Sequence, residues 1–157
     1  MTQPEHPCTR LLAYKPPRIA MALLALAGVI QLTSPANWAT LPPLLIAGAF
    51  MFALGFGIMI RAWWLFQKYE TAICPTARTT TFIVEDIYRL TRNPMYLGMI
   101  FILTGIALSM GSWPFYVVAV LYAVILNHVF CPYEERDLLE QYGNEYADYT
   151  ARVRRWI

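Results

Sequence analysis

Two long stretches without charged side chains dominate the chain. Residues 19–60 and 93–133 contain no Asp, Glu, Lys or Arg. Each stretch is long enough for two membrane crossings of roughly 20 residues. Turn-forming residues interrupt both near the middle, at Ser34-Pro35 in the first and at Gly111-Ser112 in the second. The pattern predicts an all-α polytopic membrane protein with four transmembrane helices in two hairpins, followed by C-terminal cytoplasmic amphipathic helices.

The predicted division treats the whole chain, residues 1–157, as a single membrane domain. The expected crossings are residues 17–32, 42–66, 95–110 and 113–130. The expected segments are a flexible cytoplasmic N-terminus (1–16), a first helical hairpin (17–66), a cytoplasmic loop (67–92), a second helical hairpin (93–133) and a cytoplasmic amphipathic tail (134–157).

Composition agrees with a membrane protein. Hydrophobic residues make up 58% of the chain and charged residues 14%, whereas about a quarter of a soluble domain is charged. The mean hydropathy is +0.44. No basic stripe with interleaved aromatic residues occurs, so we expect no nucleic-acid partner.

The basic residues are distributed on one side of the predicted topology. All 12 Lys and Arg lie before or at the start of the first crossing, in the last turns of the second crossing or in the middle loop, or after the last crossing. By the positive-inside rule, this distribution predicts that both termini, the central loop and any site formed there face the cytoplasm. The basic residues are Arg10, Lys15, Arg18, Arg61, Lys68, Arg78, Arg89, Arg92, Arg136, Arg152, Arg154 and Arg155.

The tail has helical periodicity. Its large apolar residues recur at steps of three and four, and Gly143 interrupts the run. Glycine followed by Asn144 predicts the end of one helix and the cap of the next, giving helices over residues 134–142 and 145–155. These helices either lie on the membrane surface or form a wall over a cytoplasm-facing pocket. The periodic residues are Leu138, Tyr142, Tyr146, Tyr149, Val153 and Trp156.

Two polar clusters flank the second hairpin and should meet on the same side. Arg92 can bind a carboxylate or phosphate, and Tyr96 offers a hydroxyl and a π face. Glu134 and Glu135 can accept hydrogen bonds from an ammonium group or a ribose. A purely structural alternative is that Arg92 pairs with one of these glutamates and holds the hairpin ends together.

Other features favour structural roles. Ala49, Ala53 and Gly57 recur every four residues, a spacing typical of helix packing in membranes. His128 stands without other metal-ligating residues nearby, and the three cysteines match no zinc or redox spacing. We therefore expect no metal site.

The order of the two polar motifs resembles one superfamily of membrane enzymes. Arg92-Asn93-Pro94-Met95-Tyr96-Leu97-Gly98, a hydrophobic hairpin and then Glu134-Glu135 resemble the isoprenylcysteine carboxyl methyltransferase and phospholipid methyltransferase superfamily. The resemblance implies S-adenosylmethionine as a methyl donor that binds at the cytoplasmic face without a Rossmann domain. No Gly-x-Gly-x-x-Gly loop occurs in the chain.

The resemblance also assigns site residues. Arg92, Glu134 and Glu135 are the candidate catalytic residues. Asn93 replaces a histidine of the superfamily's motif, and an amide does not titrate near neutral pH. The candidate cofactor-binding residues are Arg92, Asn93, Pro94, Tyr96, Gly98, Glu134, Glu135 and Tyr146, the last closing the site.

The implied activity is methyl transfer to a hydrophobic or membrane-embedded small molecule that carries a carboxylate, thiol or amine and arrives laterally from the lipid. Two alternatives stay open at this point. Sterol reductases share a similar Arg-x-Pro-x-Tyr-x-Gly segment, which would imply NADPH, and a non-catalytic membrane scaffold could retain the fold. The oligomeric state is also open.

Overall fold

The structure, a computed structural model, describes residues 15–33, 41–69 and 82–157. Within these ranges the chain is helical and has no strand, which confirms the predicted all-α class. Residues 1–14 of the predicted N-terminal segment, the turn at 34–40 and the middle of the central loop, with Arg78, lie outside the described residues. The helices are α1 (Lys15–Thr33), α2 (Pro42–Lys68), a 3₁₀ turn (Asp86–Arg89), α3 (Pro94–Met110), α4 (Trp113–Ile125), a π turn (Leu126–Phe130), α5 (Cys131–Tyr142) and α6 (Asn144–Arg152).

Three helical stretches are long and apolar enough to cross a membrane: Pro16–Thr33, Pro42–Lys68 and Trp113–Tyr142. The remaining predicted crossing, α3, has 17 residues. At a rise of 1.5 Å per residue it spans roughly 25 Å, less than the roughly 30 Å of a bilayer core. Three predicted crossings are therefore confirmed as membrane-length helices, while the crossing by α3 stays a prediction.

Glycines allow α2 and α3 to pack with their backbones in contact. A Cβ built on Gly55 would lie 2.5 Å from the carbonyl oxygen of Gly98, and one on Gly48 would lie 2.7 Å from that of Gly105. Such distances are too short for any side chain, so only glycine permits this approach. The predicted packing face was wrong: Ala49, Ala53 and Gly57 are exposed, and a Cβ on Gly57 would meet nothing within 4 Å.

Helix α1 packs on α4 and makes few contacts with α2, although the sequence predicted α1 and α2 as a hairpin. The hydroxyl of Tyr122 in α4 donates to the carbonyl oxygen of Pro16 at 3.0 Å. At the other end of α1, Ser112 donates to the side-chain oxygen of Gln31. These two contacts join α1, at both of its ends, to α4 and the residue that precedes it. The core between α1, α3 and α4 includes Leu103, Ala107, Ala119, Tyr122, Leu126 and Phe130.

The fourth crossing continues into the tail without a break. The sequence predicted a boundary between residues 133 and 134, but α4, the π turn and α5 form one helical stretch, Trp113–Tyr142. The wide turn ends two residues before Pro132, whose missing amide hydrogen cannot bond the carbonyl oxygen of His128. Glu134 and Glu135 consequently stand on a rigid extension of the membrane helix.

Gly143 separates α5 from α6, as predicted. Its φ of 53° and ψ of −122° lie in a region that essentially only glycine adopts. Asn144 is the first residue of α6 and Gly143 the cap, so the predicted capping role of Asn144 was wrong. Helix α6 ends at Arg152 rather than at the predicted Arg155, because the following residues turn back towards the start of α3.

Candidate functional site

The two polar motifs meet at one end of the bundle, as the sequence predicted. The Nη2 atom of Arg92 lies 3.5 Å from Oε1 of Glu135, with both side chains mostly buried (16% and 17% exposed). The hydroxyl of Tyr96 donates to Oε1 of Glu134. Arg92 thus pairs with a glutamate of the second motif, as the purely structural alternative predicted. The same ion pair brings the candidate catalytic residues together.

The segment before α3 contains two buried donors that find no acceptor in the described part of the chain. Asn93 occupies the N-cap of α3, but its side chain makes no capping hydrogen bond, although asparagine usually caps at this position. Its Nδ2 atom and the Nε atom of Arg92 are buried without a hydrogen-bond partner among the described residues. Because buried donors are rarely left unpaired, these two are suited to an anionic ligand group.

The backbone of this segment is fixed from both sides. Thr91 is 1% exposed, and its hydroxyl accepts from the amide of Asn93 at 3.2 Å. Pro94 starts α3 at a position where its missing amide hydrogen costs little. The donors of Arg92 and Asn93 therefore extend from a rigid turn.

Glu135 is neutralised by arginine side chains. Arg155 donates from Nε to Oε1 at 2.9 Å and from Nη2 to Oε2 at 2.6 Å, which is a bidentate pair. This hydrogen-bonded pair raises the pKa of Arg155, so the guanidinium is charged at every ordinary pH. Arg155 was not among the predicted site residues, because in the sequence it differs in no way from the other basic residues of the tail.

Glu134 has a different environment from its neighbour. Its partner is the neutral phenol of Tyr96, and no cation of the described ranges forms an ion pair with it. Of the two adjacent carboxylates, one is thus balanced by Arg155 and Arg92, and the other can balance the charge of a cationic ligand.

The tail tyrosines form a wall beside the cluster. Tyr146 and Tyr149 are 3% and 4% exposed, and the ring of Phe82 packs against both at 5.7 and 5.2 Å. Tyr149 donates to the carbonyl oxygen of Tyr88 at 2.7 Å. Burial raises the pKa of Tyr146 to about 12, with Arg92 acting in the opposite direction. Tyr146 therefore stays protonated at neutral pH and can donate a hydrogen bond.

Two predicted cofactor contacts have packing roles. Gly98 contacts Gly55 and Met59 of α2, and Pro94 is fully buried at the start of α3. Gly98 therefore allows α3 to approach α2, and Pro94 belongs to the buried first turn of α3. A direct cofactor contact by either residue stays a prediction.

An open, mostly apolar groove of about 450 Å³ runs between α3 and α4 next to the cluster. Its polar end contains Asn127 and His128, whose side chains lie 3.3 Å apart. Asn127 also accepts from Arg155 at 3.1 Å, so it borders both the groove and the charged cluster. The groove is lined by Leu97, Ile100, Val120, Ala123, Val124, Asn127, His128 and Trp156.

In the described part of the chain, no group of three His, Cys, Asp or Glu side chains is arranged to hold a metal ion. His128 is exposed beside Asn127. Cys131 is a buried free cysteine, while Cys8 and Cys74 lie outside the described residues.

The donor and acceptor set fits S-adenosylmethionine. The molecule carries a carboxylate that requires donors, an ammonium group and a ribose that require acceptors, and a sulfonium that favours a nearby negative charge. The unpaired donors of Arg92 and Asn93 match the first requirement. The carboxylate of Glu134, which has no cationic partner among the described residues, can accept from the ammonium group or from the ribose.

Comparison with known proteins adds one finding. A family model described as phospholipid methyltransferase matches residues 43–145. This range covers most of the chain, including α2, α3, α4, α5 and both polar motifs. No curated protein and no solved structure gives a significant match.

Proposed function

Because the chain belongs to the phospholipid methyltransferase family, we propose that it transfers a methyl group from S-adenosylmethionine to a lipophilic acceptor in the membrane. The single observation that carries the proposal is the arrangement of Arg92, Asn93 and Glu134. Two buried donors lie in the same cluster as a carboxylate. Among the described residues the donors have no acceptor and the carboxylate has no cationic partner.

The residues of the cluster have separate tasks in this proposal. Arg92 and Asn93 bind the carboxylate of the methyl donor, and Glu134 binds its ammonium group or ribose. Tyr96 orients Glu134 through their hydrogen bond, and Tyr146, a protonated donor, closes the site. When bound, S-adenosylmethionine supplies an activated methyl group, so the protein has mainly to place the acceptor in line and exclude water.

The groove between α3 and α4 is the proposed route for the acceptor. Its apolar walls suit a lipid chain, while Asn127 and His128 at its end suit a polar headgroup. The reacting group is a carboxylate, a thiol or an amine. An amine must lose a proton, and Glu134 is the proposed acceptor of that proton.

The proposed membrane arrangement has four crossings, of which α3 is the shortest. The two motifs are at the end of the bundle that carries Arg61, Lys68 and Arg155, and positive charge favours the cytoplasmic side. In this arrangement both termini and the active site face the cytoplasm, where S-adenosylmethionine is made.

The family match supports methyl transfer and gives no support to the sterol-reductase alternative. A reductase would require NADPH, whose pyrophosphate and 2′-phosphate need several basic side chains. The unpaired donors of Arg92 and Asn93 are enough for one carboxylate.

The test is transfer of radiolabelled methyl groups from S-adenosylmethionine into the organic-solvent extract of vesicles made of phosphatidylethanolamine and phosphatidylglycerol. A second set of vesicles contains a prenylated thiol and a third a long-chain fatty acid. We expect one acceptor class to be labelled by the wild type and not by Arg92→Ala. Absence of labelling with every class, together with absence of cofactor binding, would contradict the proposal.

A further inference from the structure

Residues 153–156, here called the strap, leave the end of α6 and return to the start of α3. The amide of Arg92 donates to the carbonyl oxygen of Arg154 at 3.1 Å. The hydroxyl of Thr91 donates to the carbonyl oxygen of Arg155 at 2.7 Å. Two hydrogen bonds to the strap backbone therefore hold the segment that carries the unpaired donors.

The side chains of the strap hold the other motif. Besides its bidentate pair with Glu135, Arg155 donates from Nη1 to the main-chain and side-chain oxygens of Asn127, at 3.2 and 3.1 Å. Trp156 donates from Nε1 to the same side-chain oxygen at 3.0 Å. Asn127 lies in the π turn, a wide turn of a kind that often occurs at functional sites.

One short segment thus joins the first motif, the second motif and the π turn. All three nitrogen atoms of the Arg155 guanidinium donate to oxygen atoms of Glu135 or Asn127. Arg155 is therefore not available to bind a ligand strongly. Its effect is to fix Glu135, which also lies 3.5 Å from Arg92.

We propose that Arg155 is a positioning residue of the cofactor site: by holding Glu135 and, through the strap backbone, the Thr91–Arg92 segment, it sets the direction of the Arg92 donors. The inference rests on the proposed function. It assigns a site role to a strap that follows the matched range of the family model, residues 43–145.

Removal of Arg155 would leave the negative charge of Glu135 poorly balanced. Without Arg155, the carboxylate keeps only the longer contact with Arg92, and a mostly buried charge attracts the nearest remaining cation. We expect the Arg92 guanidinium to turn towards Glu135, away from the ligand. Affinity for the methyl donor falls even though Arg155 itself does not touch it.

The experiment is equilibrium binding of radiolabelled S-adenosylmethionine to the full chain in detergent, with thermal unfolding measured in parallel. We expect Arg155→Ala to weaken binding about tenfold or more, as loss of one member of a buried ion pair does, and Arg155→Lys to recover part of it. Arg152→Ala is the control, because it removes the same charge from an exposed position of the tail.

A double variant distinguishes a positioning role of Arg155 from a general loss of structure. If Arg155 acts through Glu135, the two losses of affinity do not add. The double variant Arg155→Ala/Glu135→Gln then binds S-adenosylmethionine at least as tightly as whichever single variant binds it less tightly, because the unbalanced charge of Glu135 is gone. Additive losses, or Arg155→Ala that binds like Arg152→Ala, would overturn the inference while the proposed function stands. A wild type that does not bind S-adenosylmethionine would instead overturn the proposed function.

Discussion

Gly55 of α2 and Gly98 of α3 lie back to back where the two helices cross, and each would place a Cβ within 2.7 Å of the other's carbonyl oxygen. Gly98 ends the Arg-x-Pro-x-Tyr-x-Gly motif, so the motif includes a packing position as well as polar site residues. The crossing sets the position of α3, and α3 carries Tyr96 into the cluster.

The first prediction concerns this crossing. We expect Gly55→Ala to lower the free energy of unfolding by about 1–3 kcal/mol, the usual cost of forcing a methyl group into a packed contact. Thermal unfolding in mild detergent measures it. Gly57→Ala is the control, because a Cβ there meets nothing within 4 Å. Equal stability of the two variants would contradict the packing.

The neighbouring glutamates should respond differently to the same substitution. We expect Glu134→Gln to weaken binding of S-adenosylmethionine with little loss of stability, because Glu134 has no cationic partner in the described ranges. Glu135→Gln breaks the bidentate pair with Arg155 and should lower the free energy of unfolding by about 1–3 kcal/mol, between the values for surface and buried ion pairs. Binding isotherms and thermal unfolding of both variants distinguish these effects. Identical behaviour of the two variants would contradict the division of roles.

Sequence reasoning predicted the meeting of the two motifs because consecutive antiparallel helices must bring Arg92 and Glu135 to the same end. It chose the wrong face of α2 because Ala49 and Ala53 have the same spacing that small packing residues show, and the partner glycines lie on another helix. Composition could not reveal that Gly48 and Gly55 match Gly105 and Gly98 across the crossing.

The strap could not be predicted for a related reason. Helical periodicity continued through Val153 and Trp156, and this favoured a helix up to Arg155. In the structure the helix ends at Arg152, because hydrogen bonds from Thr91 and Arg92, far away in sequence, hold the following backbone. Local patterns carry no signal for such contacts.

A third prediction concerns position 93, where the resemblance to the superfamily implies a histidine and this chain has Asn93. With Asn93→His, we expect affinity for S-adenosylmethionine to rise as pH falls through about 6.5, the ordinary pKa of histidine, because the imidazolium binds a carboxylate better than the neutral ring. Binding constants from pH 5.5 to 8 measure the effect. Asn93→Ala should show no such inflection. A pH-independent Asn93→His variant would indicate that position 93 does not face the carboxylate.

Gly143 provides a fourth prediction. Because φ is 53° and ψ is −122° at this position, Gly143→Ala should cost about 1–3 kcal/mol of local strain. The strain should loosen the docking of α6, with faster hydrogen exchange at the amides of Tyr146 and Tyr149 and unchanged exchange in α3. Unchanged hydrogen exchange in α6 would contradict the view that the break between α5 and α6 requires the glycine conformation at position 143.

Trp156 borders the groove and donates to Asn127, which gives a fifth prediction. Trp156→Phe should keep the wall of the groove and lose the hydrogen bond, whereas Trp156→Ala should also enlarge the groove. We expect Trp156→Ala to raise the KM for the vesicle acceptor more than Trp156→Phe does. Equal KM values for both variants and the wild type would show that the acceptor does not bind in the groove.

The central claim is tested most directly by titrating the detergent-purified protein with S-adenosylmethionine and, separately, with NADPH, with the heat of binding as the readout. The account predicts saturable binding of S-adenosylmethionine that is lost in Arg92→Ala and in Glu134→Ala, and no binding of NADPH. Binding of NADPH alone would contradict it and favour a reductase.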